Sequence, residues 1–419
     1  MTRDPEPIKR RRALTNVGGE VDRGGDERAS ELLAHAVDVA PASEADAPDR
    51  AHVHGFHAYP ARAHPVTARR LVDAFAPARG LVLDPFCGSG TILIEAMLAG
   101  RNALGTDLNP LAVMLARAKT YPRKPEVTAA LIAAAQEVAA FADARRKAKQ
   151  GATRRLPQED VSVFAPHVLL EMDGLRAGIE KAAPEARPDL QLVFSSILVK
   201  LSAKRGDTSD EPLEKRVSAG YPARLFVRKT EELAERFAEF AELLPKPTPK
   251  ARVLLDDAAK LAKVDEGSID AVITSPPYVA TYDYLAHHEL RMRWLDLDTR
   301  RLAKDELGAR RHYERMTPDE SRASWERELA KFLHALARVT KRGAPVVLLI
   351  ADSATPRGPR GERPEALRAD EIVADTAAHV KTFEPVARAS QARPHFHGPT
   401  VAAFFDRPRR EHALLLRRI

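Results

Sequence analysis

The sequence predicts an α/β fold built on a mostly parallel sheet, interrupted midway by a largely helical insertion. Three observations carry this expectation. Residues 81–107 read as strand, glycine-rich turn, helix and strand, the opening of a parallel sheet. Three later apolar runs, at 252–255, 270–274 and 345–350, each lead into a polar residue, and open parallel sheets bind ligands at the carboxyl ends of their strands. Between these groups, residues 121–250 carry alanine-rich segments of helical period, bordered by Pro122, Pro125, Pro245 and Pro247.

Taken in order, residues 1–50 mix Arg, Asp, Glu, Gly, Pro and Ala without a sustained apolar period and include the basic run Lys9 to Arg12. A mostly disordered polar tail is expected, because such a segment buries too little surface to offset its ordering entropy. Residues 81–84 form the first strand, and Ile92, Leu93, Ala96 and Met97 recur at helical spacing until Gly100 stops them. The next strand, 102–107, ends on Asp107. Helices are expected at 127–144, 168–183 and 230–244, and the run 412–416 is expected to close the sheet as an edge strand. The chain thus divides into a tail at 1–50, an α/β domain at 51–120 and 251–419, and a helical module at 121–250.

Composition sets wider bounds. A hydrophobic share of 44% and a charged share of 30% describe an ordinary globular chain. Lys and Arg outnumber Asp and Glu by 66 to 59, a net charge of +7, which favours an anionic partner such as nucleic acid. The single Cys87 excludes an intrachain disulfide framework and a multi-cysteine zinc site, so no metal is expected and a reducing, cytoplasmic setting is. The amino terminus lacks a signal-peptide pattern, and no run approaches the roughly 18 apolar residues of a membrane span; no membrane association is expected.

Two motifs carry chemistry. In Asp84-Pro-Phe-Cys-Gly-Ser-Gly-Thr91, Gly88 and Gly90 allow a tight turn and close approach of a ligand, and the helix that starts at Thr91 offers its amino-terminal amides to a carboxylate or phosphate. Asp107, ending the next strand, is placed to accept hydrogen bonds from a ribose diol. In Thr274-Ser-Pro-Pro-Tyr278, two prolines fix φ and withhold two backbone donors. Ser275 Oγ and the Pro276 carbonyl can then accept both N–H groups of an exocyclic amine and draw its nitrogen toward sp³, with Pro277 holding the corner. Tyr278 offers a flat face for a base taken out of its helix. Cys87 reads as a packing residue, and His287 and His288 as residues of helix packing or phosphate contact.

The stretch LDPFCGSGTILIEAMLAGRNALGTDLNPLAVMLARAKT at 83–120, together with TSPPYVATYDYLAHHELRMRWLDLD from Thr274, resembles the bacterial amino-methyltransferases of the DNA methylase N-4/N-6 type. The resemblance spans residues 54–120 and 250–419. It implies a class I S-adenosylmethionine-dependent methyltransferase fold, Rossmann-like with a seven-stranded sheet. It also implies that Asp84, Phe86, Gly88, Gly90 and Thr91 line the cofactor, that Asp107 holds its ribose, and that Asp257, rather than Asp256, contacts its adenine. The segment Phe56 to Pro60, with Tyr59 and Pro60, is similar to the family's stretch that closes over the methionine end. Ser275, where adenine-N6 enzymes more often carry Asp or Asn, is similar to the cytosine-N4 branch.

The expected reaction is therefore methylation of cytosine N4 in DNA at a specific site. Adenine N6, or an RNA amino group in tRNA or rRNA, is the alternative, and a non-catalytic nucleic-acid-binding protein is a remote one. Within the insertion, Lys204, Arg205, Lys215, Arg216 and Arg228 recur beside Tyr221 and Phe226, a basic strip with aromatics that suits contact with nucleic acid. Nothing in the sequence identifies a restriction or defence partner.

Overall fold

The computed structural model describes residues 18–40, 47–394 and 398–419. Its centre is an eight-stranded sheet made of β1 (Val21–Gly25), β2 (Leu81–Asp84), β3 (Asn102–Asp107), β4 (Ala251–Leu255), β5 (Ala271–Thr274), β6 (Pro345–Ala351), β7 (Phe383–Ala392) and β8 (Arg410–Arg418). They lie side by side in the order β1-β7-β8-β6-β5-β2-β3-β4. From β4 across to β6 all neighbours are parallel. Strand β8 is antiparallel to both β6 and β7, and β1 is antiparallel to β7. This is the mostly parallel sheet of the class I fold with an eighth strand added, and β2 and β5, which carry the two motifs, are adjacent at its centre.

Side chains that alternate along the strands feed two cores. Val82, Val347 and Leu349 enter one, while Leu83, Val346, Leu348 and Ile350 enter the other, as a period of two requires when both faces are covered. Trp325, Leu329, Phe332 and Leu336 of the helix Pro318–Val339 roof the second face at helical spacing. On the first face, Leu190, Phe194 and Ile197 of the helix Arg187–Leu201 and Phe226, Phe237 and Phe240 of Tyr221–Leu243 join the core that contains Val82. The insertion is thus helical, but its helices form a layer continuous with the sheet and not a core of their own.

Three expectations change. The tail is structured where it is described: β1 pairs with β7 from Val21 opposite Gln391 to Gly25 opposite Ala387, and the helix Glu27–Val37 fully buries Leu33 and Ala36. Their spacing of three places them on one face of a helix, a stripe too narrow to stand out in a polar segment. Residues 1–17 and 41–46 of the expected tail lie outside the described residues. The run 412–416 belongs to β8, which lies between β6 and β7 and not at an edge. Finally, the helix Pro125–Lys147 is long and apolar enough to cross a membrane by length and composition, with a mean hydropathy of 1.4 in its most apolar window. Much of that hydropathy comes from alanine, and Leu131, Ala135, Val138 and Ala142 pack it into the first core.

Candidate active site

Strand β2 ends on Asp84, whose side chain is 2% exposed. The Phe86 amide donates to Asp84 Oδ1 at 3.2 Å, and the Thr274 hydroxyl donates to the same oxygen at 2.6 Å. That second bond crosses from β5 and ties the glycine-rich motif to the Thr274 to Tyr278 corner. Burial raises the Asp84 carboxyl to about 7 despite both bonds.

After Asp84 the chain turns through Gly88, at φ +49°, where a Cβ would lie 3.1 Å from Tyr59 Cε1. A side chain there would be both strained and crowded. Gly90, at φ +88°, caps the helix Thr91–Leu98, and a Cβ would meet Ala116 at 3.3 Å, so this glycine serves close packing between helices. Gly88 N donates to Asp107 Oδ2 at 2.9 Å, and Asn109 N to Oδ1 at 2.8 Å. Burial still leaves the Asp107 carboxyl raised to about 6.

These residues line a cleft. Its walls include Tyr59, Asp84, Phe86, Gly88, Thr91, Asp107, Asp257, Ser275 and Pro277. Pro60, Gly90, Pro276 and Tyr278, expected at the same site, are not on its walls. Thr91 Oγ1 is buried without a hydrogen-bond partner among the described residues, beside the amides at the helix start. This orphaned hydroxyl, the glycine cradle and the Asp107 carboxylate fit the carboxylate and ribose of S-adenosylmethionine. Asp257 accepts from the Ala259 amide at 2.9 Å and from Lys260 Nζ at 2.7 Å, so it meets the cleft as a partly satisfied carboxylate. Cys87 also lines the cleft, but burial pushes its thiol well up and leaves no tendency to ionise.

At the proline corner, Ser275 is half-buried and faces the cleft, while Pro276 is buried behind it. The Tyr278 hydroxyl donates to Glu411 Oε1 at 2.8 Å, and the Arg409 guanidinium lies 5.7 Å from its ring centre. Its ring is therefore anchored beside the cleft, and Tyr284 is the corner's aromatic on the cleft wall. Tyr282 bridges the two, 6.4 Å from the ring of Tyr278 and 5.7 Å from that of Tyr284. Tyr59 stacks on His288 at 4.9 Å, and burial lowers His288 to about 3, so its imidazole is neutral.

Sequence reasoning missed Leu302, Asp305, Glu306 and Leu307, which also line the cleft. Glu306 accepts from Tyr284 N at 2.8 Å and from Arg311 at 2.6 Å. No motif marks this stretch, and only the chain's return to the cleft brings it there.

The basic strip of the insertion separates into residues with different partners. Lys215 turns inward, donating to the carbonyls of Val199 and Lys204 at 2.8 and 2.6 Å, and so does not present its charge for phosphate contact as expected. Arg205 pairs with Glu211 at 2.5 Å, and Arg228 donates to the Tyr221 hydroxyl at 3.4 Å. Lys204 is half-buried, whereas Arg216 and Arg224 are exposed. No metal was expected, yet His52, His54 and Glu95 converge within 4.8 Å, as do Asp352, Asp370 and His412. Each cluster holds one internal bond, and His52 Nδ1 and Asp370 Oδ1 have no hydrogen-bond partner among the described residues. His54 Nε2 meets Glu95 at 2.7 Å, and Asp352 accepts from Arg368 and from the amides of Ala369 and Arg410.

The chain is 40% identical over 75 residues to the type II methyltransferase M.MvaI of Kocuria varians, covering 17% of this chain and 16% of that protein. It is 24% identical over 261 residues to M.BsoBI of Geobacillus stearothermophilus, covering 56% of this chain and 51% of that one. The chain thus spans about half or less of the length of these relatives. Among solved structures, TrmN from Thermus thermophilus is similar at 12% identity over 85% of this chain and 49% of that one, with a TM-score of 0.32; the fold assignment rests instead on the strand order. A DNA methylase model of the N6/N4 type matches residues 40–117, which contain the Tyr59 segment, the glycine turn and Asp107, so this part of the chain is similar to that family.

Proposed function

We propose that this chain is an S-adenosylmethionine-dependent DNA methyltransferase acting on the exocyclic amine of a base rotated out of the helix, with cytosine N4 as the acceptor. The observation that carries the reading is the 2.6 Å bond between Thr274 and Asp84, which joins the two motifs so that Ser275 and the Gly88–Asp107 cradle line one cleft. When bound, the cofactor supplies an electrophilic methyl group on a sulfonium. The protein then chiefly has to position the amine in line with it. Ser275 Oγ, on the cleft wall, is the acceptor that orients the amine and enriches its nitrogen lone pair, with the buried Pro276 fixing the corner behind it. Tyr284 and the anchored Tyr278 supply the aromatic surface against which a flipped base rests. Asp107 holds the ribose and Asp257 the adenine edge.

Cytosine is favoured over adenine by Ser275, which lacks the carboxylate or amide that adenine-N6 enzymes more often carry at this corner. Exposed Arg216, Arg224 and Arg228 give the insertion a face for the phosphate backbone. The test is incubation with labelled S-adenosylmethionine and either unmethylated DNA or RNA, followed by digestion to nucleosides and mass spectrometry. N4-methylcytosine from DNA is expected. N6-methyladenine would move the acceptor to adenine, and label only in RNA would overturn the DNA reading.

A further inference from the structure

Phe405 is the most exposed large apolar side chain among the described residues, at 77%. It lies between β7 and β8, on the edge of the sheet where the parallel strands end. There Glu411 of β8 pairs with Ala351 at the end of β6, and Asp352 N donates to Arg410 O at 2.8 Å. The base of this loop is built into the catalytic corner. Arg409 packs toward the Tyr278 ring, and Glu411, which accepts the Tyr278 hydroxyl, is held by Arg393 Nε at 2.8 Å. Arg393 N donates to Arg409 O at 2.9 Å, closing the base of the loop, and Arg368 donates to the carbonyls of Arg407 and Pro408 at 2.8 and 3.2 Å.

Phe405 is four residues from Arg409, so their Cα atoms are at most about 14 Å apart. A braced loop therefore holds an uncovered aromatic ring within a few base steps of the groups that receive the target base. A base reaches such a corner only by leaving the stack, which opens a gap between its neighbours and costs unstacking energy. Apolar side chains that enter base steps offset that cost, and a flat ring stacks on any base.

We propose that Phe405 is a wedge that enters duplex DNA beside the target and fills the gap its rotation leaves. The proposal rests on the reading that the substrate is a base in DNA. Sequencing the methylated product of the unaltered protein identifies the target position. Two synthetic duplexes are then compared, one with the target paired and one with it opposite an abasic site, where little pairing must be broken. Phe405→Ala is expected to lower kcat/KM on the paired duplex by about tenfold, the scale of one base–aromatic stack, and to leave the abasic duplex within about twofold. Phe405→Trp is expected to keep the paired-duplex rate. Equal losses on both duplexes, or an unchanged rate on the paired one, overturn the wedge while DNA methylation stands. Absence of transfer to any DNA by the unaltered protein overturns the underlying reading, and the wedge with it.

Discussion

Asp107 is held by two backbone amides, yet burial raises its carboxyl to about 6. Only the ionised form is a full acceptor for a ribose diol, so a ligand that donates to it competes with the proton. Cofactor affinity is expected to be high above about pH 6 and to fall as pH drops through that value, with proton release on binding near it. Calorimetric titration from pH 5 to pH 8 measures both. Asp107→Ala is expected to remove the pH dependence together with roughly 1–3 kcal/mol of binding; a pH profile retained in that variant would assign the titration elsewhere. Asp84 has a different linkage. Its carboxyl is raised from 3.8 to about 7, so its contribution to stability is present below about pH 4 and is lost as pH rises through about 7. Of the cleft residues, those inside contiguous motifs were legible in the sequence, because a glycine turn and a proline corner impose their geometry locally. Glu306 and Tyr284 were not, since nothing local marks them.

At the scale of elements, ion pairs help fasten the insertion to the sheet domain, Arg293 with the buried Asp160 and the buried Arg291 with Asp207. Asp207, between the short strands Lys204–Gly206 and Ser209–Pro212, receives Arg291 Nε and Nη2 at 2.8 and 2.9 Å, with side-chain exposures of 9% and 3%. Arg291 also donates to the Ser195 carbonyl, and Ser195 Oγ meets His57 Nε2 at 2.8 Å, two residues before Tyr59. Asp207→Ala leaves Arg291 buried without its counter-charge and is expected to cost about 3–5 kcal/mol, measured by urea unfolding. A loss under 1 kcal/mol would show that the helices of the insertion hold without this clasp. Helices such as 127–144 and 168–183 were legible from their period. The clasp was not, because Asp207 lies among acidic and basic neighbours that look alike in a linear sequence.

At the scale of the whole molecule, the sheet gains an outer strand from the chain's first described residues. Strand β1 covers the edge of β7, and Leu33 and Ala36 of the following helix fill the first core. Leu33→Ala is expected to lower stability by about 2–5 kcal/mol, read as a drop in Tm. A disordered tail would tolerate it without change. Residues 1–50 read as tail because charged and small residues dominate their average, whereas packing responds to the few apolar side chains that share one helical face.

From the amino-acid order came the parallel strands, the glycine turn and the proline corner, because each is written in neighbouring residues whose backbone preferences are local. It also carried the resemblance on which the proposed chemistry rests. The tertiary structure alone decided that Asp84 and Thr274 share a 2.6 Å bond, that Tyr278 is anchored to Glu411 beside the cleft, and that Lys215 points inward. These contacts join residues 190, 133 and 16 positions apart. Burial and partner choice at such separations are set by how the layers pack, which a local pattern does not encode.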